Sequence, residues 1–237
     1  MSELNTKNTK EKLLYKLYSF LYHNNILEKI FHTTVYNLKR DLKDCKTVLD
    51  LGCGKDSPIQ YCQSIEYSVG VEAFNPSLEA SRLRNIHSKY INGNILNVDF
   101  EEDSFDAVIM IEIIEHLDKN DALNLIKKAN KWAKKKIIIT TPNGFLPQFE
   151  YDSNPLQNHI CGFYVKELKK LGFAVYGAAG LKILYGGQKN IKNEIIRIRK
   201  PIFFWTIIAG ISRLFTYYLP NYAFELYCMR NKNNYVK

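Results

Sequence analysis

The chain has 237 residues, of which 46% are hydrophobic and 24% charged, a composition that excludes a disordered chain and predicts one globular domain with a sizeable core. Its formal net charge is +9 at pH 7. The five cysteines are odd in number and form no CxxC pair, so we expect reduced thiols in the cytoplasm. The first residues, MSELNTKNTKEK, have no apolar core, so we expect no secretory signal there.

Two helical patterns precede the first predicted strand. They cover residues 10–22 and 26–42, and in the first of them an apolar stripe is flanked by lysines. We therefore expect residues 1–45 to form N-terminal helices and the main domain to begin near residue 46.

The sequence VLDLGCGKDSP, which starts at residue 48, predicts a buried strand followed by a glycine turn. Asp50 lies near the end of the strand, and Gly52 and Gly54 follow with only Cys53 between them. Paired glycines after a strand permit a tight turn and let a ligand lie against backbone N–H groups. A dinucleotide-binding turn needs a third glycine three residues after Gly54, where this chain has Ser57. A plain glycine turn is the other alternative.

After a helix-sized gap, the segment YSVGVE at residues 67–72 predicts a second strand that ends in Glu72. A doubly wound fold places a carboxylate at this distance from the glycine turn, where it binds ribose hydroxyls. A carboxylate can accept hydrogen bonds from both hydroxyls. We prefer this interpretation to that of a surface glutamate.

A third strand at residues 89–91 leads into Gly93 and Asn94, and a fourth at 107–111 lies within DSFDAVIMIEIIEHL. The patterns that follow predict a helix at 118–133, a strand at 136–140, a helix at 163–171, a strand from 174 onward and a last strand at 222–229. Strands that alternate with helices indicate a parallel sheet with helices on both faces.

In this order, the segments between residues 48 and 117 resemble class I S-adenosylmethionine (SAM)-dependent methyltransferases. The spacing D-x-G-x-G is similar to their motif I, and DSFDxVxxxxxxEHL is similar to a pattern of the small-molecule members. The resemblance implies an α/β, Rossmann-like fold with a seven-stranded, mostly parallel sheet, helices on both faces and an antiparallel last strand. It also implies SAM as the cofactor.

The resemblance implies a role for the residues that match. The glycine turn would cradle the methionine half of SAM, and Asn94 would accept a bond from the adenine amino group, at a position where the family commonly has Asp. One or both of Glu112 and Glu115 would face the cofactor amino group or solvent. The predicted cofactor-binding residues are Asp50, Gly52, Cys53, Gly54, Glu72, Ala73, Asn94, Ile95, Ile111 and Glu112.

Residues 141–160, TPNGFLPQFEYDSNPLQNHI, form a long loop whose aromatic side chains argue against disorder. Ligands of an open α/β sheet bind beyond the carboxyl ends of the strands, which this loop reaches. The TPNGF run followed by D-x-N-P-x-Q-x-H resembles a set of small class I methyltransferases. We therefore expect the loop to line the acceptor pocket.

Methyl transfer from a sulfonium is an in-line displacement, in which alignment supplies most of the catalysis. A hydroxyl acceptor also needs a base, for which His159 is the first choice because its unperturbed pKa suits neutral pH, with Asp152 as the alternative. The competing interpretation of His159 is a hydrogen bond that locks the loop. For His116 we expect a structural or pocket-wall role. No cluster of His, Cys and Asp shows metal-ligand spacing, so we expect metal-independent chemistry.

An insertion at residues 182–220 separates the last two predicted strands. Six cations and one acid give its first half a net charge of +5, and residues 202–219, IFFWTIIAGISRLFTYYL, follow as an apolar helix. We reject a membrane span, because it would place the last strand across the membrane from its sheet. Two alternatives remain: a helix packed on the core with Phe203, Trp205 and Phe215 buried, or an in-plane helix on an anionic membrane surface.

The predicted domain plan is a set of N-terminal helices, 1–45, that cap the acceptor side, and a methyltransferase domain, 46–237, that contains the insertion. The predicted function is O-methylation of a small, glycan or lipid-linked acceptor in the cytoplasm, with peripheral membrane contact. The alternatives are an RNA or protein methyltransferase that docks through the basic surface, and a SAM-binding subunit without catalysis. No RNA- or DNA-binding motif accompanies the charge, which argues against a nucleic-acid partner.

Overall fold

The computed structural model describes residues 25–150, 153–185 and 202–232. Seven strands form one sheet with the order β3-β2-β1-β4-β5-β7-β6, in which β7 is antiparallel to both of its neighbours. The strands are β1 (Thr47–Leu51), β2 (Tyr67–Glu72), β3 (Lys89–Asn92), β4 (Phe105–Ile111), β5 (Ala133–Pro142), β6 (Ala174–Leu181) and β7 (Ala223–Asn231). The predicted Rossmann-like sheet with an antiparallel last strand is confirmed.

Six α-helices connect or flank the strands in the described part of the chain. They are α1 (Asn25–Ile30), α2 (Thr34–Asp41), α3 (Asn75–Leu83), α4 (Lys119–Trp132), α5 (Val165–Lys170) and α6 (Ile202–Thr216). The helix predicted at 10–22 lies outside the described residues. Between β1 and β2, where the gap had room for a helix, the structure has one short 3₁₀ turn at Pro58–Tyr61.

The single helix predicted at 26–42 was wrong, because the chain forms two helices there. His32 has a positive φ of 45°, which ends the first helical run. The hydroxyl of Thr33 accepts a hydrogen bond from the backbone N–H of Tyr36 at 3.1 Å and so caps the start of α2. The apolar period continues through this break, which is why the pattern alone did not show it.

Both faces of the sheet are buried, and each face has its own apolar core. Adjacent residues of β1 lie in different cores: Leu49 and Leu51 belong to the first and Val48 to the second. Helices α4 and α5 cover the first core, while Leu38 and Leu42 at the end of α2 belong to the second. Because both faces are buried, the sequences of the central strands are continuous apolar runs and do not alternate between apolar and polar residues.

Helix α6 is the described helical part of the predicted insertion, and it lies directly against β6. A Cβ at Gly177 would overlap the carbonyl oxygen of Thr216, and one at Gly180 would overlap that of Ala209. Just beyond the helix, the hydroxyl of Tyr217 accepts a hydrogen bond from the guanidinium of Arg40 at 2.8 Å. These contacts determine which face of α6 is turned towards the sheet.

Two further observations concern the whole described chain. Within residues 25–150, 153–185 and 202–232, no helix has both the length and the apolar character needed to cross a membrane. All five cysteines are free thiols, as predicted.

Candidate functional site

A cavity of about 360 Å³ opens at the carboxyl ends of β1, β2 and β4. The strand order runs outward from β1 in both directions, and such a switch point is where open α/β sheets bind their ligands. The volume lies in the range of small-molecule sites. All ten residues predicted to bind the cofactor line this one cavity.

The glycine turn is held in place by the end of β2. The carbonyl oxygen of Val71 accepts hydrogen bonds from the backbone N–H groups of Gly52 and Cys53, at 2.8 and 3.1 Å. Gly52 has a φ of 71°, and a Cβ there would overlap the side chain of Ile113. Gly54 has a φ of 57° and faces open space, so a ligand can approach the backbone at this residue.

Glu72 connects this turn to the residue that directly precedes α3. Its two carboxylate oxygens accept hydrogen bonds from the backbone N–H groups of Gly54 at 3.0 Å and Phe74 at 2.8 Å. Only 9% of the residue is exposed, yet it lines the cavity. Because a carboxylate offers about four lone-pair positions, Glu72 can hold the turn and still accept bonds from a diol.

Asp50 is buried beneath the turn. It accepts a hydrogen bond from the hydroxyl of Ser57 at 2.5 Å, and Nε2 of His87 lies 3.4 Å from the same oxygen. Burial raises the pKa of Asp50 to about 7, the charge of Glu72 acts in the same direction, and the Ser57 bond opposes it. Burial also lowers the pKa of His87 to about 4, so the neutral form of both groups predominates between these values. Sequence patterns missed His87, because it reaches Asp50 from a distant part of the chain.

Asn94, Ile95 and Ile111 also line the cavity. The side-chain oxygen of Asn94 accepts a hydrogen bond from the backbone N–H of Leu96 at 2.9 Å and retains a second lone pair for a ligand. Glu112, also in the wall, has a positive φ of 55°. A strained backbone of this kind is common at ligand sites. Burial raises the pKa of the Cys53 thiol, which leaves it a neutral part of the lining.

Part of the predicted acceptor loop reaches the same cavity. Asn154, Leu156 and Gln157 line it together with His116 and Leu117, which follow β4. The loop was predicted as a whole, but its motif did not distinguish these three residues. Asp152 lies outside the described residues.

His159 is not among the residues that line the cavity. Its Nδ1 donates a hydrogen bond to the carbonyl oxygen of Leu146 at 2.7 Å, and its backbone N–H donates to that of Gln148 at 3.0 Å. These bonds have the geometry of the loop-locking alternative. When Nδ1 of the neutral ring carries the proton, Nε2 carries the lone pair and can accept a proton. The role of His159 as a base therefore stays a prediction.

Glu115, His116 and His159 come together although 43 residues separate the two histidines. One ligand atom from each lies within 4.8 Å of the others. The carbonyl oxygen of Glu115 accepts the backbone N–H of Ile160 at 2.8 Å, which fixes the end of the loop against β4. Burial raises the pKa of the Glu115 carboxyl to about 7, and the neighbouring polar groups of its own backbone, Thr141 and Glu112 act in the opposite direction. Spacing rules missed this group because it forms only through tertiary structure.

Residues 49–139 match the family described as a methyltransferase domain. This stretch includes the glycine turn, Glu72 and the EHL segment, which the structure assembles around one cavity. Residues 49–139 therefore form a methyltransferase domain, and the order of its motifs resembles that of the class I SAM-dependent type.

Two proteins are similar in sequence to this methyltransferase. An uncharacterized protein of Methanocaldococcus jannaschii is 26% identical over 173 residues, which cover 73% of this chain and 68% of that one. The (S)-coclaurine N-methyltransferase of Thalictrum flavum subsp. glaucum is 26% identical over 129 residues, which cover 52% of this chain and 35% of that enzyme. Among solved structures, a SAM-dependent methyltransferase from Archaeoglobus fulgidus is 18% identical with a TM-score of 0.48, over 87% of this chain and 98% of that one.

The methyltransferase takes SAM as its cofactor, and the charge of the cavity suits that molecule. SAM carries a sulfonium and an ammonium group. Besides the buried Asp50, three acidic residues line the cavity and, among the described residues, no lysine or arginine does; the three acids are Asp56, Glu72 and Glu112. Opposite charge in a partly enclosed site favours binding of the cofactor.

We expect Glu72→Ala to weaken the binding of SAM and of its demethylated product by about 100-fold or more, because the ribose diol loses a charged acceptor. Isothermal titration calorimetry measures this. Glu79→Ala on α3 is the matched control, because Glu79 is paired with Arg82 outside the cavity. This variant should bind SAM with the affinity of the wild type. Unchanged affinity in a folded Glu72→Ala protein would contradict the assignment.

Asp50 predicts a pH dependence of stability in the cofactor-free protein. The pKa of Asp50 is higher in the folded protein than in the unfolded chain. Its contribution to the free energy of unfolding is therefore present below about pH 4 and is lost as the pH rises through about 7. Asp50→Asn removes the titration while still accepting the Ser57 bond. The free energy of unfolding of the variant should therefore rise relative to wild type between pH 4 and 8, by on the order of 2–4 kcal/mol. Urea unfolding at both pH values measures it, and a difference independent of pH would refute the expectation.

Proposed function

We propose that this methyltransferase transfers the methyl group of SAM to a hydroxyl oxygen of a small, glycan or lipid-linked acceptor. The observation that carries the proposal is the composition of the cavity beyond the glycine turn. There Leu117 and Leu156 provide apolar walls, while His116 and Gln157 provide polar groups. Apolar walls with a few directed polar groups suit a small organic acceptor.

The histidines support a hydroxyl as the methylated group. A hydroxyl must lose its proton during transfer, and a positioned base assists that step. Nδ1 of His116 donates to the carbonyl oxygen of Asn158 at 3.0 Å, and Nδ1 of His159 donates to that of Leu146. In the neutral ring, this arrangement makes Nε2 the proton acceptor. We retain His159 as the proposed base.

A panel of phenols, alcohols, glycosides and amines of matched size, incubated with labelled SAM, tests the proposal. We expect products methylated on oxygen, identified by mass spectrometry and NMR. His159→Ala should lower kcat by about 100-fold or more without changing the affinity for SAM. His32→Ala removes a histidine remote from the cavity and should retain activity. Methylation of amines alone would favour N-methylation, the reaction in the name of the Thalictrum relative.

We further propose that α6 rests on an anionic membrane surface. The side of the helix turned to the sheet is small or polar, with Ala209, Ser212 and Thr216 buried. The large apolar residues lie on the outer side, at spacings that form one stripe: Phe204, Ile207, Ile211, Phe215 and Tyr218. Phe215 is 65% exposed, so its predicted place in the core was wrong, although the helix itself packs against β6 as that alternative expected.

The charge next to α6 favours a lipid surface over another apolar partner. Residues 189–200 carry five cations and one acid and directly precede the helix in sequence. Cations near an anionic bilayer each contribute about 1 kcal/mol of attraction. An in-plane helix with an apolar outer face and neighbouring cations is a typical peripheral anchor. Such a surface would give the enzyme access to a lipid-linked acceptor.

Co-sedimentation with vesicles tests this surface. The protein should pellet with vesicles rich in phosphatidylserine, less with neutral vesicles, and less again at high salt. Replacing both Ile211 and Phe215 with Ser should abolish pelleting, whereas Leu83→Ser, which changes an exposed leucine of α3, should not. Equal recovery in the supernatant with both vesicle types would refute membrane contact. Self-association that the Ile211/Phe215 variant removes would instead identify a second copy as the occupant.

A further inference from the structure

The group formed by Glu115, His116 and His159 has the ligand types and nearly the spacing of a metal site. Its three ligand atoms lie within 4.8 Å of one another. A cation bound at about 2.1 Å by each ligand needs them roughly 3–4 Å apart. The difference corresponds to a movement of about one ångström in each side chain.

Both histidines make the supporting hydrogen bond that is typical of metal ligands. Each donates its Nδ1–H to a backbone carbonyl oxygen, His116 to Asn158 and His159 to Leu146. Ligating histidines almost always use one ring nitrogen in this way, because it fixes the tautomer and turns the other nitrogen to the metal. The two ring centroids are 4.8 Å apart and the planes are inclined at 67°.

Glu115 supplies an independent observation. The residue is 1% exposed, and neither carboxylate oxygen accepts a hydrogen bond of normal geometry, although the Thr141 and Glu112 side chains lie nearby. Its electrostatic neighbour Glu225 is also acidic. A buried carboxylate without a compensating charge is costly, and a cation beside it would remove that cost.

We propose that Glu115, His116 and His159 bind one divalent transition-metal ion at the acceptor end of the SAM cavity. His116 lines that cavity, so the ion would face the acceptor. Two imidazoles and one carboxylate suit Zn²⁺, Mn²⁺, Co²⁺ or Fe²⁺ better than Mg²⁺ or Ca²⁺, which prefer oxygen ligands. Three protein ligands leave coordination positions open to water or to an acceptor oxygen.

The role of the ion in transfer rests on the proposed O-methylation. An acceptor hydroxyl bound to the ion would lose its proton to water more readily than a free one. The resulting oxygen would attack the methyl carbon of SAM, so an O–C bond forms as the S–C bond breaks. The electron pair of that S–C bond remains on sulfur as the neutral thioether. His159 would then act as a metal ligand and not as the base.

Metal binding is tested on the full chain after treatment with a chelator. Titration with Zn²⁺ and Mn²⁺ by calorimetry, and with Co²⁺ by visible absorption, should show one site. Glu115→Gln and His159→Asn should each weaken binding of the metal ion by more than about 100-fold. Loss of a metal ligand should cost more affinity than loss of a hydrogen bond that orients a ligand. His32→Asn also removes one imidazole but should bind the ion normally. All four proteins should bind SAM with equal affinity.

The outcomes separate this inference from the proposed function. A lack of one-to-one binding, or binding that Glu115→Gln and His159→Asn both retain, would overturn the metal site. Binding of the ion together with chelator-sensitive O-methylation supports both the site and its role. Binding together with chelator-resistant methylation overturns the role alone. Binding together with N-methylated products overturns the proposed hydroxyl acceptor and leaves the metal site standing.

Discussion

The pairing of β1 with β2 is the constraint on which the site depends. The two strands are aligned so that Leu51 lies opposite Val71, and the glycine turn begins at the next residue. Val71 then accepts two backbone N–H groups of the turn, and Glu72 accepts a third. A shift of one residue in this register would turn the Glu72 side chain to the other face of the sheet and displace the Val71 carbonyl from the turn. The shape of the turn and the position of the ribose acceptor therefore have a common origin.

The second feature that shapes the site is its concentration of buried acid. Asp50 and Glu115 are withdrawn from water, and burial raises the pKa of each. Such groups destabilise the empty protein at neutral pH, and a bound cation offsets that cost. The cationic cofactor supplies positive charge at one end of the cavity, and a metal ion would supply it at the other. Stability and ligand binding are thus linked in this enzyme.

The position of α6 reverses the usual arrangement of an amphipathic helix. Close contact with Gly177 and Gly180 admits only small side chains between helix and strand, so Ala209 and Ser212 are turned inward. The residues consequently exposed on the outer side are Phe204, Ile207, Ile211 and Phe215. The sheet gains a covering helix, and the protein gains an apolar surface that its own described residues leave exposed.

Local patterns predicted the sheet and the glycine turn, because strand periodicity and turn chemistry involve residues close in sequence. The resemblance to the methyltransferases supplied the ten residues predicted for the cofactor, all of which line the cavity. Local patterns failed at Thr33, where a capping bond interrupts an apolar period that runs on unchanged. They also could not show that His159 meets Glu115, nor which side of α6 faces water. Those features depend on backbone contacts between distant segments, such as Ile160 with Glu115 and Gly177 with Thr216. Only the folded chain brings such segments together, so only the tertiary structure decided them.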